Sequence, residues 1–146
     1  TFVPVSPDAV AGIFADANVV IDNVAILLNT GTATLSEYGV FVTTPATDVR
    51  ITRADITVTH ANSTAVIAAV GVASIRDSSL ASAGNALASN GATAVVKIAT
   101  SQLSGMVRNA VSGGQVTCVH NFKESFAAIT DGVFSTVGAA TTVCAP

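Results

Sequence analysis

The sequence predicts an all-β protein, an antiparallel β-sandwich with a jelly-roll-like arrangement. Residues that favour strands or tolerate them, namely Thr, Val, Ile and Ala, dominate the chain. Three short turn signals separate apolar segments, at Asn90-Gly91, Ser112-Gly113-Gly114 and Asp131-Gly132. Asn-Gly and Asp-Gly supply the positive φ angles of tight hairpins, and strands joined by tight hairpins are antiparallel. The turn spacing predicts about eight strands.

The first half of the chain begins with an arm and continues as strands. Residues 1–7 form an extended N-terminal arm, because Pro4 and Pro7 fix φ and lack a backbone donor. Residues 8–146 then form a single sandwich domain. A change in the apolar alternation near Arg53 predicts a β-bulge. The predicted strands of this half are 19–28, 35–43, 49–58 and 64–75.

The second half combines one helical segment with further strands. Residues 78–89 are rich in Ala and poor in β-branched residues, which predicts a short helix or helical loop. Apolar residues in 103–111 and 122–137 also fit helical spacing, which leaves a helical alternative open. Gly132 would cost about 1 kcal/mol relative to Ala inside such a helix, which favours strands. The predicted strands here are 92–100, 106–111, 115–122, 126–130 and 133–137.

Several predicted strands are apolar on both faces. A strand of a two-layer sandwich has only one inner face, so its second face needs cover from another subunit, from 78–89 or from a ligand. Moreover, 10% of the residues are charged while 50% are hydrophobic, and the net charge is −3. An ordinary soluble domain is about a quarter charged. We therefore expect copies of the chain to cover one another through a face formed by Val66, Val70 and Val72.

The N-terminal arm is a second candidate contact. Its apolar residues Phe2, Val3 and Val5 can add as a strand to the sheet edge of a neighbouring subunit. The alternative is that the arm is the first edge strand of its own domain, or a loose arm of that domain. The sequence thus predicts a non-enzymatic structural subunit that assembles with copies of itself into an extracellular, pilus-like filament or a shell. The alternatives are a virus or phage capsid or decoration protein, and a secreted sandwich that binds an apolar ligand or a glycan.

Two cysteines and a glycosylation triplet bear on location. Cys118 and Cys144 are predicted to form a disulfide, which would pin the C-terminus and contribute roughly 3 kcal/mol. This bridge and the non-Met first residue, Thr1, favour an extracellular or cell-surface location after removal of an N-terminal segment. The alternative location is a virion. Asn62 begins the acceptor triplet Asn62-Ser63-Thr64 for N-glycosylation.

No motif indicates a reaction. The possible zinc ligands His60, Cys118, His120 and Cys144 lack a familiar spacing, and nucleophile-elbow and phosphate-loop motifs are absent. The six basic residues are scattered along the sequence, which disfavours nucleic-acid binding. The longest apolar run, 65–73, is much shorter than the roughly 20 residues of a spanning helix. We expect no enzymatic activity, no cofactor or metal, no nucleic-acid partner and no membrane insertion.

Overall fold

Parallel β-strands build this protein. The computed structural model describes residues 3–6, 9–29, 36–43 and 48–146, and these residues contain β-strands and no helix. The strands wind into a β-solenoid of about four turns. The strands are β1 Val3–Ser6, β2 Ala9–Ala15, β3 Val19–Asp22, β4 Ala25–Leu28, β5 Ser36–Val42, β6 Asp48–Thr52, β7 Asp55–Val58, β8 Ser63–Ala68, β9 Val72–Arg76, β10 Ser79–Ser89, β11 Val95–Ala99, β12 Gln102–Asn109, β13 Gln115–Val119, β14 Phe122–Lys123, β15 Gly132–Phe134 and β16 Gly138–Ala139.

The strands line three faces with five stacked strands each, and a set of three successive strand segments, one on each face, is here called a layer. Face A stacks β2, β5, β8 and the C-terminal halves of β10 and β12. Face B stacks β3, β6, β9, β11 and β13. Face C stacks β4, β7, the N-terminal halves of β10 and β12, and β14. The first layer is β2, β3 and β4, and the last consists of the C-terminal half of β12 with β13 and β14.

The core consists of columns of apolar side chains stacked in register. On face B, Ile21, Ile51, Ile75, Ile98 and Cys118 follow one another directly and are all buried. On face C, the column of Ile56, Leu80 and Leu103 is buried in the same way. Each layer therefore buries its inner side chains against the layers above and below it, as repeat architectures do.

The corner between faces B and C has the same backbone conformation in every layer. Asn23, Arg53, Asp77, Thr100 and His120 all have φ between 49° and 52°, in the left-handed region that non-glycine residues rarely adopt. Each one directly follows face B, so the chain turns onto face C at the same point each time. Repetition of this turn keeps the strands of successive layers in parallel register.

A ladder of buried polar side chains lies just inside that corner. The backbone N–H of Ala54 donates to Ser78 Oγ (3.1 Å), that of Ser78 to Ser101 Oγ (3.1 Å), and that of Ser101 to Asn121 Oδ1 (3.0 Å). All three side chains are buried. Each side chain therefore satisfies the corner N–H of the preceding layer, which would otherwise be buried without an acceptor.

The last layer is covered by the C-terminal segment of the chain. β15 pairs antiparallel with β13, and β16 pairs antiparallel with β12. Cys118 and Cys144 lie at disulfide distance, with their Cα atoms 5.5 Å apart, which agrees with the pairing predicted from the sequence. Ile129 is buried beneath this segment. These contacts tie the C-terminal residues to the end of the stack.

The structure corrects several predictions of the sequence. The antiparallel jelly-roll sandwich is wrong, because the main sheets are parallel and stacked as a solenoid. The predicted helix at 78–89 is wrong, because this segment is β10, which bridges faces C and A. β10 pairs with parallel strands on both sides and buries Leu80 and Leu87 in the core columns, so packing outweighs helix propensity. The Asn90-Gly91 and Ser112-Gly113-Gly114 turns do not form hairpins but lead from face A to face B.

Candidate functional site

The first layer leaves two strand edges without a partner among the described residues. Face B ends at β3, and β4 is hydrogen-bonded to β7 alone. Only face A is extended at this end, since β1 pairs antiparallel with β2. An open strand edge presents a row of backbone donors and acceptors that can pair with another chain. We call β3 and β4 together the open edge.

The core is also incompletely covered at the open edge. Ile26 is half-buried, whereas Ile56, its register partner in the second layer, is fully buried. The same contrast holds between Ile13 and its partner Val40 on face A. These inner side chains belong to the same columns, but no complete layer among the described residues stacks on the first one, so part of their apolar area stays uncovered there.

Outward-facing apolar side chains enlarge this apolar surface. Val20 on β3 is 66% exposed and Leu27 on β4 is 71% exposed. The one charged residue of the two strands, Asp22, forms an ion pair with Arg53. The open edge therefore combines free backbone hydrogen-bonding groups, apolar side chains and no uncompensated charge among its described contacts.

The predicted contact face of Val66, Val70 and Val72 does not form one surface. Val66 is fully enclosed by its own chain in the core of face A. Val70 lies in the turn between β8 and β9, and Val72 begins β9, and both are half-buried. Every residue of β8 is buried, so intramolecular cover accounts for the two apolar faces of this strand. A subunit contact through Val66 therefore has no surface in this fold.

The predicted arm divides between described and undescribed residues. Val3 and Val5 lie in β1, whose backbone pairs with β2 of the same chain, while Phe2 lies outside the described residues. This arrangement corresponds to the edge-strand alternative of the sequence analysis. An exchange of this strand between subunits stays a prediction.

The remaining predicted site residues are spread over the molecule. Asn62 is exposed in the turn that precedes β8, so its side chain has room to carry a glycan. Its glycosylation stays a prediction. His60 lies in the same turn, whereas His120 lies at the corner between faces B and C and faces Asp131 at 3.8 Å. Within the described ranges, no three His, Cys, Asp or Glu residues are grouped so that they could hold a metal.

Sequence reasoning did not single out Ile13, Val20, Ile26 or Leu27. A signal for Ile26 exists, because an Ile is followed five residues later by Ile or Leu in four successive layers. The first of these pairs marks the first layer, beyond which only β1 lies among the described strands. The four pairs are Ile21 with Ile26, Ile51 with Ile56, Ile75 with Leu80, and Ile98 with Leu103.

Comparisons with known proteins assign neither a family nor a function to this chain. No protein-family model matches the sequence, and neither a curated protein nor a solved structure matches it significantly. In the part of the chain that the structure describes, no helix is long and apolar enough to span a membrane.

Proposed function

We propose that this protein is a non-enzymatic structural subunit that associates with copies of itself through the open edge. The observation that carries the proposal is a contrast between the two ends: β3 and β4 have no partner on one side among the described residues, whereas the opposite end is covered. The low charge of the chain supports a second copy as the occupant, since few charged side chains oppose self-association.

Strand pairing defines how two copies meet. Two chains related by a two-fold axis perpendicular to the solenoid axis can place the β3 edge of one copy antiparallel to the β3 edge of the other, a self-complementary contact. The first layers of the two copies then face each other, which covers Ile13 and Ile26. The exposed Val20 and Leu27 then border the contact. Such pairing closes on itself and yields a dimer.

A filament or a shell requires a second contact on each subunit. The covered end exposes further apolar side chains, of which Val133 is 57% and Val137 is 56% exposed. We propose that dimers formed through the open edge bind one another through this covered end. Such binding would build the filament or shell expected from the sequence. The cysteine pair supports an extracellular or virion location, because disulfides persist in oxidising surroundings.

Charged substitutions at the open edge test the proposal directly. In Val20→Lys/Leu27→Lys, both positions are exposed, so the fold is retained while two like charges face their counterparts across the contact. Light scattering coupled to size-exclusion chromatography over a concentration series should show dimers or larger species for the wild type. The doubly substituted protein should lose the open-edge dimer at the same concentrations, so that any association left must occur through the covered end.

A matched control uses equally exposed valines at the covered end. Val133→Lys/Val137→Lys should leave the dimer intact and affect only species larger than a dimer. Hydrogen exchange of the backbone amides of β3 should slow with rising concentration of the wild type. A wild type that stays monomeric at millimolar concentration, or an open-edge variant that associates like the wild type, would contradict the proposal.

A further inference from the structure

A cleft of about 430 Å³ lies on the outer surface of face A, away from the open edge. It is lined in the third and fourth layers by Thr64, Ile67, Asn85 and Ala88. Larger residues of the neighbouring layers rise on both sides of it. The volume falls within the range of about 300–1,000 Å³ that is typical of small-molecule sites.

One wall of the cleft is aromatic. Tyr38 lines it and stacks on Phe41, with ring centroids 5.2 Å apart and planes inclined by 21°. Phe41 packs in turn against Phe14, at a centroid distance of 5.6 Å. Because the three rings support one another, Tyr38 is held as a fixed platform and not as a freely rotating side chain.

The opposite wall carries a cation. Arg108 and Met106 belong to the last layer, and Met106 is 52% exposed. Arg108 is exposed and forms no ion pair with any described residue. No acidic side chain is among the described residues that line the cleft. In a chain of net charge −3, the cleft is thus a local site of positive charge.

Amide and hydroxyl groups occupy the space between the walls. Asn85 Nδ2 donates to Thr64 Oγ1 at 3.3 Å, while Asn85 Oδ1 has no hydrogen-bond partner among the described residues. Asn62 and Asn90 also line the cleft. A ligand hydroxyl that donates to this oxygen would remove the cost of leaving it without a donor.

We infer that this cleft binds an oligosaccharide that carries a carboxylate, such as one built from uronic acid units. The C–H face of a sugar ring packs on the Tyr38 platform, while its hydroxyls exchange hydrogen bonds with the amides that line the cleft. The guanidinium of Arg108 binds the carboxylate through paired, charge-assisted hydrogen bonds. This inference does not depend on self-association, because the cleft lies within one chain.

The amino-acid composition provides a reporter in the cleft itself. Tyr38 is the only tyrosine and the chain has no tryptophan, so the tyrosine fluorescence of the protein originates from this site. Titration with a trisaccharide of galacturonic acid should change that fluorescence saturably, and the neutral galactose trisaccharide should bind at least tenfold more weakly. Protein from a host without N-glycosylation keeps the side chain of Asn62 free of a glycan.

Three substitutions locate the interaction, with calorimetry as the readout for the variant without tyrosine. Arg108→Gln should weaken binding of the acidic trisaccharide about tenfold or more and leave the neutral one unchanged. Tyr38→Ala should weaken both. Lys97→Gln removes an exposed cation from the outer surface of face B and should change neither.

Three outcomes would overturn the inference. The first is that the acidic trisaccharide does not bind at millimolar concentration. The second is that Lys97→Gln weakens binding as much as Arg108→Gln, which would indicate general charge attraction. The third is that Tyr38→Ala leaves both affinities unchanged, which would place binding elsewhere. The Val20→Lys/Leu27→Lys variant should bind the acidic trisaccharide like the wild type, so failure of the self-association proposal would be seen separately.

Discussion

The two ends of the solenoid differ in how the core is covered. At the last layer, the segment 124–146 folds back through β15, β16 and the Cys118–Cys144 pair, and the inner side chain of Val107 is fully buried. At the first layer, Ile13 of the same column is half-buried and only β1 extends a face. In a stack of repeats, each layer is covered by its neighbours, so an end layer needs a cap of different construction. The comparison shows that the chain provides such a cap at one end, whereas at the other end the described residues leave the edges of β3 and β4 uncovered.

The largest expected effect comes from equal truncations in the two environments. Ile56→Ala should lower the free energy of unfolding by about 2–5 kcal/mol, because it opens a cavity in a fully buried column. Ile26→Ala alters the register partner in the first layer, where the side chain already meets solvent, and should cost less than half as much. Urea denaturation of both variants at a concentration where the wild type is monomeric measures the difference.

The same pair also reports on self-association. If a second copy covers Ile26, the cost of Ile26→Ala should rise with protein concentration, whereas that of Ile56→Ala should stay constant. Equal costs for the two variants in dilute monomer would show that the first layer is covered as well as the second, and the contrast between the ends would be lost.

Removal of the cysteine bridge tests the covered end. The Cys118→Ala/Cys144→Ala protein loses a cross-link between residues 26 apart in sequence, for which the chain-entropy model gives about 3 kcal/mol. Hydrogen exchange should then accelerate first in β15 and β16, while the amides of β6 and β9 keep their protection. A uniform acceleration over all layers would mean that the C-terminal segment is not a separate cap. Peptide-resolved mass spectrometry distinguishes these patterns.

Part of this fold follows from local sequence properties. Strand propensity of the Thr-, Val- and Ile-rich segments predicts the all-β character, which needs no knowledge of strand partners. The even number of cysteines predicts the pairing of Cys118 with Cys144. Both predictions are confirmed, and both could be made because each depends on composition alone.

The direction of the strands does not follow from these local properties. Asn90-Gly91 fits a hairpin and a solenoid corner equally well, and only the neighbouring layer decides between them. Strands that are apolar on both faces are typical of buried parallel sheets, a reading that the antiparallel interpretation overlooked. The repeat was also hard to see, since the register partners in the column from Ile21 to Cys118 are 30, 24, 23 and 20 residues apart.

The cleft on face A was hidden for a related reason. Tyr38, Asn85 and Arg108 are far apart in the sequence. They line one cleft only because the parallel register stacks their strands next to one another. A single tyrosine without tryptophan made a glycan site unattractive from composition alone. The structure adds the support of Phe41 and Phe14, which composition cannot show.

The smallest predicted effect concerns the polar ladder. Its acceptor side chains begin at Ser78 in the third layer, since Val24 and Ala54 occupy the ladder position in the first two layers. Ser101→Ala should cost about 1–3 kcal/mol, because the buried N–H of Ser78 loses its acceptor. Ser104→Ala is the matched control: its hydroxyl bonds the exposed carboxylate of Glu124, so its removal should cost under about 0.5 kcal/mol. Thermal unfolding of the two variants under identical conditions gives the comparison.

The ladder also differs between the two ends. Each oxygen acceptor comes from the following layer, and Asn121 of the last layer, which accepts from the N–H of Ser101, is fixed because its own Nδ2 donates to the carbonyl of Ile98 (3.1 Å). In the first two layers the ladder position holds Val24 and Ala54, whose side chains carry no acceptor. If Ser101→Ala proved as mild as Ser104→Ala, the corner N–H groups would be reaching water, and the ladder would contribute nothing to the difference between the ends.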